Sequence, residues 1–218
     1  MERYNDLFIN TPESLEKYLK AKTIVSILGG TKSEKGAEVI GRDVAKSGYS
    51  IKTGGYAAGA MKGGLIGGAE GLALKEKSDF KQKIEGVTSA DFSPIESATK
   101  GKDIEIEVAE DPYDRLKSLI RGSDIVVITE GSIGTELETY ASFAFEIELE
   151  ILNSGRSSKP IIFVGEHVKE KIVSIPKFAE YIDKSENIIF VNTPEEAIDQ
   201  VDILFGKIKD KKRREVDM

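Results

Sequence analysis

The chain has no cysteine, no tryptophan and one histidine, His167. Without cysteine there are no disulfides, thiolate metal sites or cysteine nucleophile. A lone histidine argues against a histidine metal centre or a Ser-His-Asp triad, so neither a metal nor a cofactor is expected. No apolar run approaches the ~20 residues of a membrane span, and MERYNDLF lacks the basic-then-apolar pattern of a secretion signal. A cytoplasmic location and no membrane partner are expected. Basic residues are in the minority, 31 Lys and Arg against 38 Asp and Glu, for a net charge of −7. That balance argues against nucleic acid, whose binding needs basic surface. Small molecules are the expected partners. A charged fraction of 32% with no cysteine or tryptophan fits a thermophile.

A length of 218 residues suits one domain with a sizeable core. Residues 1–22 read as an N-terminal extension with a short helix opened by Thr11-Pro12-Glu13. TIVSIL, from Thr23 to Leu28, is an uninterrupted apolar run of the kind that forms a strand buried on both faces. It ends in Gly29-Gly30-Thr31, after which a helix capped by Ser33 runs to about Ser47. A short strand leads to a second glycine turn, Gly54 to Gly59, and to a helix with glycine at 63, 64, 67, 68 and 71. Interior glycines cost ~1 kcal/mol each against alanine, so this helix requires close packing.

Strands are expected over Ile84–Ser89 and Ile104–Ala109, the second alternating apolar and acidic residues as an edge strand does, with a surface loop near the site between them. Asp111-Pro112 opens a helix to about Arg121. A fifth strand begins at Asp124, and the helix after it is expected to continue to about Asn153. Pro160–Gly165 and Asn187–Val191 read as strands, with helical sequence from Glu166 to Tyr181 and from Pro194 to about Lys207. Residues 209–218 form a charged tail. Alternating strands and helices predict an α/β, three-layer, doubly wound parallel sheet with helices on both faces. Ligands of such folds lie at the C-terminal strand ends, beside a topological switch point. Three glycine turns fall at such ends, and their convergence is expected to make the site.

The most informative stretch is DIVVITEGSIGTELE, Asp124 to Glu138. Apolar strand, glycine turn and helix N-terminus follow one another directly, and such a turn offers backbone N–H groups and a helix dipole to an anion. Gly131, Ser132, Ile133, Gly134 and Thr135 are the candidate phosphate binders, with Gly29, Gly30, Thr31, Gly54, Gly55 and Gly59 from the other two turns. The GxGxxG dinucleotide spacing is missing after the first strand, and no P-loop is present.

TGGYAAGAMKGGLIGGAEG, followed by an arginine, a strand and GSIGTELE, resembles the cytokinin-activating Lonely guy family, long labelled lysine decarboxylases. In that family the second strand ends in GGGxxGxM, matched by Gly54, Gly55, Gly59 and Met61, and a later strand ends in PGGxGTxxE, matched by Gly131, Gly134, Thr135 and Glu138. Arg115 stands at the family spacing from Asp124. The resemblance spans about Thr23 to Lys207 and implies a Rossmann-like fold, a homodimer or higher homo-oligomer, and metal-free cleavage of the N-glycosidic bond of a nucleoside 5′-monophosphate to base and ribose 5-phosphate. Glu138 would stabilise the positive charge that grows on the ribose or activate water. Arg115 would hold phosphate, position that carboxylate or assist base departure. No lysine has a recognisable pyridoxal phosphate context.

EGSIGT stands where the family has PGGxGT, placing Glu130 and Ser132 in the anion turn. This favours a second reading, a non-catalytic nucleotide or molybdenum-cofactor carrier of the same fold. Plainer roles compete residue by residue. Glu138 would complement a helix N-terminus. Arg115 would pair at the surface with Asp111 or Asp114. Glu146 and Glu150, four apart like a carboxylate pair, would lie on a solvated or subunit-facing helix side, Met61 in the core and His167 at the surface or a helix start.

Overall fold

The computed structural model describes residues 11–75, 80–92, 97–148 and 159–216. Its centre is a seven-stranded, all-parallel sheet: β1 (Ile24–Leu28), β2 (Ser50–Gly54), β3 (Ile84–Ser89), β4 (Ile104–Ala109), β5 (Ile125–Thr129), β6 (Ile161–Val164) and β7 (Ile188–Val191). The spatial order is β4-β3-β2-β1-β5-β6-β7. The chain winds outward from β1 to β4, crosses back and continues from β5 to β7. The switch point therefore lies between β1 and β5, where Val25 pairs with Ile125 and Leu28 with Ile128. This is the expected Rossmann-like α/β fold.

Successive residues of a strand face opposite sides, and that alternation builds two cores. Val25 and Ile27 of β1, with Ile125 and Val127 of β5, join one cluster with α1 (Pro12–Lys22), α2 (Glu34–Lys46), α3 (Gly59–Leu74) and α8 (Pro194–Val216). Leu28, Val126 and Ile128 join the other with α4 (Pro112–Arg121), α5 (Ile133–Ser142), α6 (Val168–Val173) and α7 (Pro176–Lys184). Both faces of the central strands are covered, which explains their unbroken apolar runs.

The glycines of α3 are spent on that packing. A Cβ at Gly63, Gly67 or Gly71 would lie 2.1, 2.0 or 2.0 Å from the carbonyl oxygens of Glu34, Glu38 and Arg42 in α2. On another face, a Cβ at Gly68 would lie 3.0 Å from Ile51 of β2. The helix thus approaches the α2 backbone with no side chain between and rests directly on the side chains of the sheet.

Several boundaries differ from expectation. The helical sequence after β6 is two helices, because Pro176 lacks an N–H and starts a new one at N1. The C-terminal helix runs on through the basic stretch to Val216. The helix after β5 changes after Ser142 to a π-helical segment, Phe143–Glu148. Its expected extension to Asn153 lies outside the described residues. β4 is an edge strand, as its alternation predicted, although Val108 of its apolar face is 60% exposed.

Candidate functional site

The three glycine turns meet. The Gly30 N–H donates to the Glu130 carbonyl at 3.0 Å, and the Ala60 N–H donates to the Gly30 carbonyl at 3.1 Å. A Cβ at Gly30 would sit 2.5 Å from the Gly131 Cα, and one at Gly59, where φ is +55°, would sit 2.6 Å from the Thr31 Cα. At Gly29, φ is +156° and a Cβ would overlap the Thr129 hydroxyl, which donates to the Leu28 carbonyl. Ser33 does not cap α2; its hydroxyl donates to the Glu130 carbonyl.

This contact divides the predicted phosphate binders. The Gly30 N–H is committed to Glu130 and the Gly55 N–H to the Val87 carbonyl, so both glycines serve the close approach of the turns. First-turn N–H groups of a helix have no intrahelical acceptor. Around the start of α5, the N–H groups of Gly131, Ser132, Ile133 and Gly134 find no other partner among the described residues. These four residues are exposed, and a Cβ at Gly134 would meet nothing within 4 Å. The Ser132 side chain makes no capping hydrogen bond. Glu130 turns its carboxylate toward Gly165 at the end of β6, where a Cβ would lie 3.0 Å from Oε1.

Glu138 and Arg115 come together. Both side chains are nearly buried, 11% and 14% exposed, with Arg115 Nη1 3.9 Å from Glu138 Oε1. Arg115 is not a surface partner of Asp111 or Asp114. Its Nε donates to the Val87 carbonyl at the end of β3 at 2.9 Å, its Nη2 lies 3.5 Å from Met61 Sδ, and its guanidinium lies 5.3 Å from the centre of the Tyr56 ring. Gly54 makes room for this arrangement, since a Cβ there would meet Nη2 at 2.3 Å. Met61 is therefore a contact of the arginine rather than plain core. Burial pushes the Glu138 carboxyl up to about 7, against the opposing pull of Arg115. A group titrating near neutrality suits proton transfer.

α5 is inverted relative to an ordinary surface helix. Its buried positions include Thr135, Glu138, Thr139 and Ser142, while Ile133, Leu137 and Tyr140 are 83, 60 and 50% exposed. Glu146, in the π-helical segment, is 2% exposed, and its Oε1 has no hydrogen-bond partner, which corrects the expectation of a solvated or subunit-facing carboxylate; Glu150 lies outside the described residues.

Sequence reasoning missed Tyr56. Its hydroxyl accepts from the Ser89 N–H at 2.9 Å while its ring faces Arg115. An aromatic residue in the middle of a glycine turn was the available signal. Segment 97–99 folds onto the same turn, with the Ala57 N–H donating to the Ser97 carbonyl and the Thr99 N–H to the Gly55 carbonyl. His167 is exposed at the start of α6, 3.7 Å from Glu170. On the β6 side of the turn, Gly131 and Thr135 also line a cavity of about 430 Å³ between α5, α6 and α7. Among the described residues no cluster of histidine and carboxylates is arranged to hold a metal, and no helix is long and apolar enough to cross a membrane.

No protein-family model matches the sequence, and no curated protein is similar to it. Solved structures are. The molybdenum cofactor binding protein of the phototrophic bacterium Rippkaea orientalis aligns with a TM-score of 0.60 and 17% identity, over 84% of this chain and 97% of that one. The molybdenum cofactor carrier protein of Chlamydomonas reinhardtii aligns at 0.58 and 15%, over 84% and 98%. TM1055, a structural genomics target, aligns at 0.54 and 19%, over 83% and 98%. At these identities the likeness concerns the fold: this chain has the same Rossmann-like α/β architecture over most of its length.

Proposed function

We propose that the protein is a phosphoribohydrolase, cleaving the N-glycosidic bond of a nucleoside 5′-monophosphate to free base and ribose 5-phosphate. The observation that carries this reading is Glu138, a buried carboxyl poised near neutrality, facing Arg115 one helical turn inside an open anion turn. The 5′-phosphate would take the N–H groups of Gly131 to Gly134, at the positive end of the α5 dipole. The ribose would then lie over Glu138, whose ionised form stabilises the oxocarbenium-like transition state and orients water. Arg115, held by Val87, Met61 and Tyr56, would position that carboxylate and assist departure of the base. Glu130 does not oppose this, because its carboxylate is turned toward β6. The two glycine motifs and the arginine spacing that resemble the Lonely guy family support the same assignment.

The test is incubation with a panel of nucleoside 5′-monophosphates, monitored for free base and ribose 5-phosphate. Release from at least one is expected. Thermal stabilisation by a nucleotide with no release from any would overturn the enzymatic reading in favour of a non-catalytic nucleotide or molybdenum-cofactor carrier. The second reading rests on the fold shared with molybdenum-cofactor binding and carrier proteins and on Ser132 in the anion turn. For either role we propose a single-domain homodimer joined through the helices that flank the site. The exposed Ile133 and Leu137 of α5 support this, and a monomeric hydrodynamic size at micromolar concentration would refute it.

A further inference from the structure

The cavity on the far side of the α5 N-terminus has features that the phosphoribosyl reading does not use. Its volume, about 430 Å³, is in the range of small-molecule sites. Tyr140, Val168 and Ile175 give it an accessible apolar wall, backed by Phe163 and Phe178, which are 0 and 5% exposed. Phe178 is fixed by stacking on Phe143, with ring centres 4.0 Å apart, and Tyr140 leans on it from the mouth at 4.8 Å. A flat or branched apolar body fits such a wall.

The charges at the rim select the ligand's polar end. Four lining groups can carry charge: Glu130 after β5, Glu136 on α5, His167 before α6 and Lys171 on α6. Glu136 and Lys171 neutralise each other at 2.6 Å. His167 is solvent-exposed and faces Glu170. Glu130 has no cationic partner among the described residues. Its position is built by the fold, since β6 ends in Gly165 at φ +139° and a side chain there would collide with the Glu130 carboxylate. The rim therefore carries a net negative charge beside an aromatic wall.

We propose that this cavity is a second binding site, specific for a small primary amine with an aromatic or branched apolar body, its ammonium paired with Glu130 and its body against Tyr140, Val168 and Ile175. Here Glu130, which departs from the proline of the resembled motif, acts as the selective group of a separate compartment. The amine lies across the Gly131 turn from Glu138, so the two sites are independent in their chemistry.

The experiment titrates the full-length protein, without nucleotide, with 2-phenylethylamine, 2-phenylethanol and 3-phenylpropionate, followed by calorimetry and ligand-observed NMR. The amine is expected to bind about tenfold more tightly than the alcohol, and the carboxylate most weakly. Glu130→Gln should erase the preference for amine over alcohol while leaving alcohol binding in place, and Tyr140→Ala should weaken all three probes. Glu138→Gln should leave amine binding unchanged, which separates this proposal from the phosphoribohydrolase reading. The proposal is overturned by absence of saturable binding for all probes, by carboxylate binding equal to amine binding, by an amine preference that survives Glu130→Gln, or by loss of amine binding in Glu138→Gln.

Discussion

α3 and α5 begin alike, each following a glycine turn at the C-terminal end of a central strand, and then diverge. α3 spends its glycines on contact: three lie against the α2 backbone and others against the sheet, so small residues bring structural layers together. α5 spends its interior face on polar groups and leaves apolar side chains outside. A glycine-rich motif is thus no guide to chemistry until its neighbours are known. What sets α5 apart as the candidate site is polarity placed where the fold would ordinarily put hydrocarbon.

Substitutions can sharpen that contrast. The largest effect is expected at Glu138. Glu138→Gln should cut base release about a hundredfold to ten-thousandfold, the range for loss of a positioned acid or base, with nucleotide affinity largely intact. Unchanged turnover would remove Glu138 from the chemistry. In α3, Gly67→Val should cost roughly 3 kcal/mol or more, because its Cβ would fall 2.0 Å from the Glu38 carbonyl oxygen and backbone would have to move. Urea unfolding measures this, and a loss within ~0.5 kcal/mol would show that the α2–α3 contact is looser than described.

Smaller in size is the pH dependence. Glu138 keeps its proton in the folded state up to about 7, against an ordinary value of 4.5. Its favourable contribution is intact below 4.5 and is lost as pH rises through about 7, because only the folded state resists ionisation. Wild type should lose about 1–3 kcal/mol across this window relative to Glu138→Gln, as read from unfolding at pH 5 and pH 8. Base release should rise through the same window as the carboxylate forms. Parallel pH curves for the two proteins would refute the burial effect. The smallest effect is expected at Gly134, whose Cβ would meet nothing: Gly134→Ala should stabilise the free protein by about 0.5–1 kcal/mol through helix propensity. It should also weaken nucleotide binding if the phosphate approaches that backbone closely, and no change in affinity would move the phosphate away from Gly134.

Much of this molecule was legible in the sequence because its signals are local. Apolar runs such as IVVIT announce strands buried on both faces, and Pro12, Pro112 and Pro194 mark helix starts. The positions of the three turns at strand ends followed from that alternation, and Glu138 and Arg115 from motif spacing. Which turn N–H groups remain free was not legible, because the Gly30 to Glu130 bond joins residues a hundred positions apart. Nor was the direction of the Glu130 side chain, which depends on the absence of a Cβ at Gly165. The burial of Glu146 was hidden because a carboxylate is ordinarily assigned to the solvated side, although at four residues past Ser142 and eight past Glu138 it continues the buried polar face of α5.

The bond from the Ile24 N–H to the Asp124 carboxylate, which seats β5 beside β1, has a consequence for how the protein acquires its site. The outward half of the sheet, β1 to β4, comes from one contiguous stretch of chain, but the anion turn joins Gly30 only when β5 docks against β1. Closing so long a loop is entropically slow compared with local pairing. During refolding, helical circular dichroism should return before nucleotide binding, and a chain emerging from the ribosome completes the proposed ligand site only after α5 has been made.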